Sequence, residues 1–520
     1  MKIFLGRSIA LSLAGVLVCL AQAHGQVVGN WPIAHSDAGH SGWQKTERKL
    51  SRDTIAGQFK FLWKMKLGSG TGDAASFSEP LLAPRLINGQ GFKDVVLWGS
   101  TDTVYAVDYE LARIVWRKHF DLPASTGSCG PSNLGIVIEP PHVINFNARR
   151  TPAAARQPEP EPAPAGSRRL GQPAGGGGFG FRGIYVLTSD GYLHEQVLST
   201  GADFAPPVKF LPFAAGVSNG LNIQGQIVYT ATKRGCGEAI NALWGIDLAP
   251  ENDPVSSYAT NSVSPLVSMG PTLGEGVAYL VTGSGAAGSA EDIHPGSIVA
   301  LTETDLKVKD WYTPFGSEGK LQNVTPVAFT AKQRKLLAGP GSGGSFVLLD
   351  AESLGGPDHH TPLFQTPAIS RAKHESWGGM SSWQDSDGTA WVLASVTGPL
   401  EAGAKFAGSN GPASHGSVVA FKVEEQEGKM TLVPAWSSPD LVNPSPPVVA
   451  NGLVFALAEG DAKTHAKLHV LDAETGKELY ASGAEIGTYA RMSGVSVGES
   501  HVFFTTHDGT LYSYGIDMEH

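Results

Sequence analysis

The side chains best suited to chemistry in this chain are three histidines, His294, His374 and His415, each set in a stretch without regular alternation. Asp292 precedes the first, Glu375 follows the second, Trp377 lies close by, and Arg491 sits in a further stretch of the same character. Imidazole beside carboxylate is the pairing from which proton relays and metal sites are made. No nucleophile elbow, phosphate loop or zinc-binding helix motif accompanies them. Gly339-Pro-Gly-Ser-Gly-Gly344 reads as a hairpin turn, because no helix follows it to receive an anion. Asp358-His359-His360 reads as exposed turn polarity. Any chemistry therefore depends on a fold that brings separate loops together.

The fold is announced by Lys467 to Tyr480, KLHVLDAETGKELY. Leu468, Val470 and Leu471 read as a strand, and Asp472 to Lys477 as a tight turn in which Asp caps its own backbone and Gly takes the positive φ. One hairpin cannot bury its apolar face, so neighbours must repeat it. Similar strands appear at Val104–Asp108, Tyr192–Leu198, Ala242–Asp247, Ile298–Leu301, Phe346–Asp350, Val418–Phe421 and Leu511–Tyr514. The period is about 45 to 55 residues, the length of a four-stranded propeller blade.

This pattern resembles the pyrroloquinoline-quinone (PQQ) repeat family of β-propellers, with its Ala-x-Asp-x-x-Thr-Gly-x-x-x-Trp signature. The match is close around Asp108 and Asp472. It departs where Tyr109-Glu110-Leu111 and Ser353-Leu354 replace Thr-Gly. The resemblance implies an all-β, eight-bladed propeller of four-stranded antiparallel blades. The orphan strand at 58–66 is expected to complete the last blade and close the ring. That family holds both quinoprotein dehydrogenases and non-enzymatic scaffolds.

Around this core, residues 1–23 read as a signal peptide, with Lys2 and Arg7 ahead of an apolar run and cleavage near Ala23. The run is too short to span a bilayer, so the mature chain is expected to be exported, periplasmic or extracellular. Residues 24–57 form an N-terminal strap whose Trp31 and Trp43 are expected to pack on the outside. The propeller is assigned to 58–520, with a disordered Pro/Gly-rich insertion at about 145–180. Export leaves Cys129 and Cys236, in loops of one face, as a candidate disulfide. A net charge of −10 without a basic stripe argues against nucleic acid.

Connections at 283–296, 397–416, 459–466, 370–379 and 483–493 should leave from one rim, which makes that rim the expected binding face. The small residues Ala106, Gly245, Ala300 and Ala420 are expected to line the channel. Under the resemblance, a dehydrogenase would need PQQ, Ca²⁺ and a carboxylate base, and no calcium-ligand set, adjacent cysteine pair or haem motif can be placed. The expectation is therefore an exported binding or scaffold module. It would grip a protein or polymer through His294, His374, Trp377, His415 and Arg491, with no assigned cofactor, metal or catalytic residue. A divergent PQQ-dependent dehydrogenase acting on an alcohol or sugar is the alternative.

Overall fold

The computed structural model describes residues 29–67, 77–88, 91–122, 133–139, 183–214, 218–234, 238–250, 252–266, 269–285, 293–315, 321–370, 378–490 and 494–517. The signal peptide, Cys129, Cys236 and the whole of the insertion lie outside these residues.

The chain is an all-β propeller. In each blade the strands follow one another in sequence from the centre outwards, so the first strand is the inner one. First strands of neighbouring blades approach one another all the way round the ring. Seven blades are continuous in sequence, at 81–119, 135–209, 218–261, 272–312, 327–365, 378–437 and 448–481. The remaining sheet is a composite of the two ends, in which Lys60–Lys66 pairs antiparallel with Thr510–Gly515 outside His501–Thr505 and Ser496–Gly498.

The expectation of an eight-bladed propeller of four-stranded antiparallel blades is corrected by this topology. Seven contiguous blades are joined by a closing sheet drawn from both termini, and two of the seven exceed four strands. The sixth blade gains Val324–Thr325 and Gly408–Ser409, and the seventh gains Trp43–Gln44, all in parallel pairing. Free strand edges are the reason: an unpaired edge presents N–H and C=O groups that nearby segments satisfy.

The junctions between blades follow from the repeat. Trp116 of the first blade donates its indole N–H to Leu198 O of the second at 3.0 Å, and Trp436 of the sixth donates to Ala473 O of the seventh at 3.0 Å. Each ring lies against a glycine at positive φ, Gly201 at 69° and Gly476 at 71°, where an added Cβ would come within 2.5 Å and 2.3 Å of the indole. Asp472 shapes the second turn by accepting from the Thr475 amide at 2.9 Å and the Thr475 hydroxyl at 2.8 Å.

Ala106, Gly245, Ala300 and Ala420 do not face the channel as expected. They lie in third strands, and the three alanines are buried in the apolar layers. An inner position belongs to first strands, and the repeat signature marks third strands.

Candidate functional site

The channel is filled by the chain itself. From Trp31 to Gln44 the strap runs round the axis and meets the inner strands one after another, in sequence order. Trp31 pairs with Leu82, Pro32 O accepts from Ile138 N, Ala38 O from Leu273 N, and Gly39 O from Ala328 N. Asn222 of the third blade also donates its side-chain N–H to Ala38 O, at 3.0 Å. Ser41 O accepts from Ser382 N and Gly42 O from Val449 N, and the Gln44 amide reaches Val497 O at 3.0 Å. The course is tight enough to hold His35, Ser36 and His40 at positive φ, between 57° and 81°. Such backbone persists where surrounding bonds over-determine it.

Trp31 is fully buried, and Trp43 pairs with Val449 of the inner edge. The expectation that both lie on the outside is therefore wrong. The strap reads as irregular because its hydrogen bonds are divided between tight internal turns, such as His40 N to Asp37 O and Gly42 N to His35 O, and distant inner strands.

Glu79 anchors the start of this segment. One carboxyl oxygen accepts from the Trp31 indole at 2.9 Å and from the His35 amide at 2.8 Å. The other faces Gly494, where a Cβ would lie 2.1 Å away. Burial pushes the Glu79 carboxyl up to about 8, since a low-dielectric site disfavours the charged form. Burial likewise lowers His35 to about 3 and also lowers His40. His35 Nε2 lies 3.0 Å from Ser381 Oγ, which donates to Pro447 O. At neutral pH the group is thus an uncharged hydrogen-bonded cluster that fastens backbone. Apart from Trp31, none of these residues stands out in the sequence, and no local spacing marks them.

Among the expected rim residues, His374, Trp377 and Arg491 lie outside the described residues. His294 and His415 are described, and the structure does not bring them together. His294 stacks on Trp311 with ring centroids 4.0 Å apart, and Trp311 also stacks on His359 at 3.7 Å. His359 Nδ1 lies 2.9 Å from Asp310 Oδ1, and His360 Nδ1 lies 2.6 Å from Thr313 O. The reading of Asp358-His359-His360 as mere exposed turn polarity is corrected, because this loop runs along the outer strand of the preceding blade.

His415 is held by Asp440, at 2.6 Å from Nδ1 to Oδ2 and 2.7 Å from its amide to Oδ1. Against the upward push of partial burial, hydrogen bonds from His415 and Ser414 hold Asp440 down at about 2. Ser414 Oγ approaches that same Nδ1, at 3.1 Å. A nucleophile relay needs serine and carboxylate on different ring nitrogens, so this trio braces a loop. Among the described residues no group of three or more His, Cys, Asp or Glu is placed to hold a metal ion. No described helix is long and apolar enough to cross a membrane.

No protein-family model and no curated protein matches the sequence. Solved structures do match the fold. Quinohemoprotein alcohol dehydrogenase ADHIIG from Pseudomonas putida HK5 aligns with a TM-score of 0.57 and 14% identity, over 95% of this chain and 81% of that one. The quinohemoprotein alcohol dehydrogenase of Comamonas testosteroni gives 0.54 and 11%, over 95% and 81%. A europium-containing methanol dehydrogenase gives 0.54 and 12%, over 94% and 99%. The chain thus shares the β-propeller fold of these structures.

The resemblance to the PQQ-repeat family would imply PQQ, a flat tricarboxylated quinone. Holding it between the inner strands would take open space and buried donors or cations matched to its carboxylates. Here the strap takes inner-strand N–H groups for its own carbonyls, and among the described residues no Lys or Arg is buried. The described residues at that level do not fit the group.

Proposed function

We propose that the protein is an exported propeller that acts as a binding or scaffold module, gripping a protein or polymer through the loops of one rim. The observation that carries this reading is the strap wound through the channel from Trp31 to Gln44, where a dehydrogenase of this fold would need room for its quinone. Binding is then left to the connections between second and third strands and between blades. Because successive strands are antiparallel, these leave from a common face. Cleavage near Ala23 leaves a mature chain whose first residues lead straight into the channel segment.

The fold likeness to quinohemoprotein alcohol dehydrogenases favours the second reading, a divergent PQQ-dependent dehydrogenase oxidising an alcohol or sugar. Equilibrium dialysis against PQQ with Ca²⁺, followed by dye reduction with ethanol, methanol or glucose, separates the two. The module predicts neither retention nor turnover, and stoichiometric retention with substrate-dependent reduction would overturn it. Trp377→Ala with Arg491→Ala is expected to weaken capture of a partner on the rim while leaving the melting temperature nearly unchanged.

A further inference from the structure

The turns between first and second strands, and between third and fourth strands, leave from the face opposite the rim loops. Among the described residues nine large apolar side chains are exposed, and four of them, Ile87, Phe92, Leu111 and Ile114, lie in or beside two such turns of the first blade. Phe92 is the most exposed of the nine, at 75%. The other five are spread over the second, third and fourth blades. An apolar concentration of this kind marks a surface that meets another one.

The strand pairing arranges these side chains in a strip. Ile87 pairs with Phe92 across the first hairpin, and Val96, four residues after Phe92, pairs with Val107, which pairs in turn with Ile114. Side chains two apart on a strand, or directly opposite across strands, share a sheet face, so Ile87, Phe92 and Ile114 line one face of the blade. Val95 pairs with Asp108, the last residue of the third strand, and Gly91 to Lys93 run on past it. The Ile87–Phe92 pair therefore sits at a projecting tip. Anchors for a protein partner are set in pockets, whereas a projecting apolar tip suits a surface that yields around it.

The leading end of the chain joins at this same edge. A Cβ added to Gly29 would lie 2.4 Å from Glu499 Cγ, and Glu499 accepts from Arg85, two residues before Ile87, at 3.1 Å. Eight residues, 21–28, separate Gly29 from the apolar run at 9–20, a reach of about 26 Å when extended. Read as an export signal, that run enters the membrane and holds this edge toward the bilayer for as long as it stays attached. Arg85 pairs with Glu499 and Lys93 with Asp108, so the strip carries little net charge. Attraction to anionic lipid is then minor beside apolar burial.

We propose that this edge of the first blade docks on a lipid bilayer, which turns the partner-binding rim away from the membrane. The test is flotation of the full mature chain with vesicles of phosphatidylcholine alone and of phosphatidylcholine mixed with phosphatidylglycerol. The protein should float with both, at low and high salt alike. Ile87→Ser with Phe92→Ser should cut the bound fraction roughly tenfold or more without shifting the melting temperature. Phe315→Ser, an exposed position on the rim side, should float like the parent, and so should Trp377→Ala with Arg491→Ala, which tests the rim separately. The proposal is overturned if neither vesicle carries the protein, if the double serine variant floats as well as the parent, or if flotation requires phosphatidylglycerol. A parent dimer that the double serine variant abolishes would also overturn it, since a second copy then covers the strip. Flotation that appears only with Val27→Ser and Val28→Ser would do the same, assigning the strip to the chain's own preceding residues.

Discussion

Two buried indoles fasten two distant segments with the same donor and different acceptors. Trp436 gives its N–H to the Ala473 carbonyl, 37 residues along the chain, and so locks the sixth blade to the seventh. Trp31 gives its N–H to the Glu79 carboxyl, 48 residues along, and so locks the strap to the mouth of the first blade. A carbonyl has one protonation state across ordinary pH, whereas a carboxyl has two. The junction between blades is therefore indifferent to pH, and the channel anchor is not. Trp311 shows a third outcome. At the other two junctions the alanines Ala106 and Ala420 pair with Trp116 and Trp436, but Ala300 pairs with Asp310 and Trp311 falls one residue later. Asp310 then docks the next blade by accepting from Leu354 N at 2.8 Å, and the indole stacks on histidines.

The sharpest way to separate the two fastenings is Glu79→Gln, which keeps an acceptor for Trp31 and removes the charge. The Glu79 pKa is raised in the folded state, so its stabilising contribution is complete below about 4.5 and is lost as pH rises through about 8. The variant should match the parent near the acid end of that window and exceed it by several kcal/mol (~3–5) above pH 8, read by urea denaturation across pH. Parallel stability–pH curves would show that the carboxyl is not the titrating anchor. Next comes Gly476→Ala, where positive φ and the Trp436 ring both oppose a Cβ. A loss of about 2–3 kcal/mol, equal at all pH values, is expected. Trp436→Phe keeps most of the ring and deletes the donor. It should cost about 1–2 kcal/mol with no pH dependence, and a pH-dependent loss would erase the contrast with Trp31. His294→Ala should be smallest, about 0.5 kcal/mol by thermal melting, because the Trp311 ring retains its stack with His359.

These cases also separate what could be read in the sequence from what could not. The Asp472 turn was legible because all its determinants lie within six residues, from the capping Asp to the positive-φ Gly. The register offset at Ala300 was not, since a one-residue slip leaves the string of apolar and aromatic residues almost unchanged. The strap was illegible for a different reason. Between its own irregular turns it bonds to strands scattered from Leu82 to Val497, so no local period betrays it. Of the candidate site, His294 and His415 lie in loops, while the acidic residues expected near them, Asp292 and Glu375, fall outside the described residues. Their contacts, the Trp311 ring for His294 and Asp440 for His415, are supplied by topology rather than by adjacency.

The winding of the strap has a consequence for how the molecule comes into being. Its residues precede every blade in the sequence, yet the last of them, Gln44, meets Val497 across 453 positions. The ring is therefore assembled about its own leading end, an axle in place before the wheel is closed. Contacts of such separation carry a large loop-closure entropy and slow the final step. Until Lys60–Lys66 meets Thr510–Gly515, the axle and the half-built ring each expose edges that only the finished circle can cover.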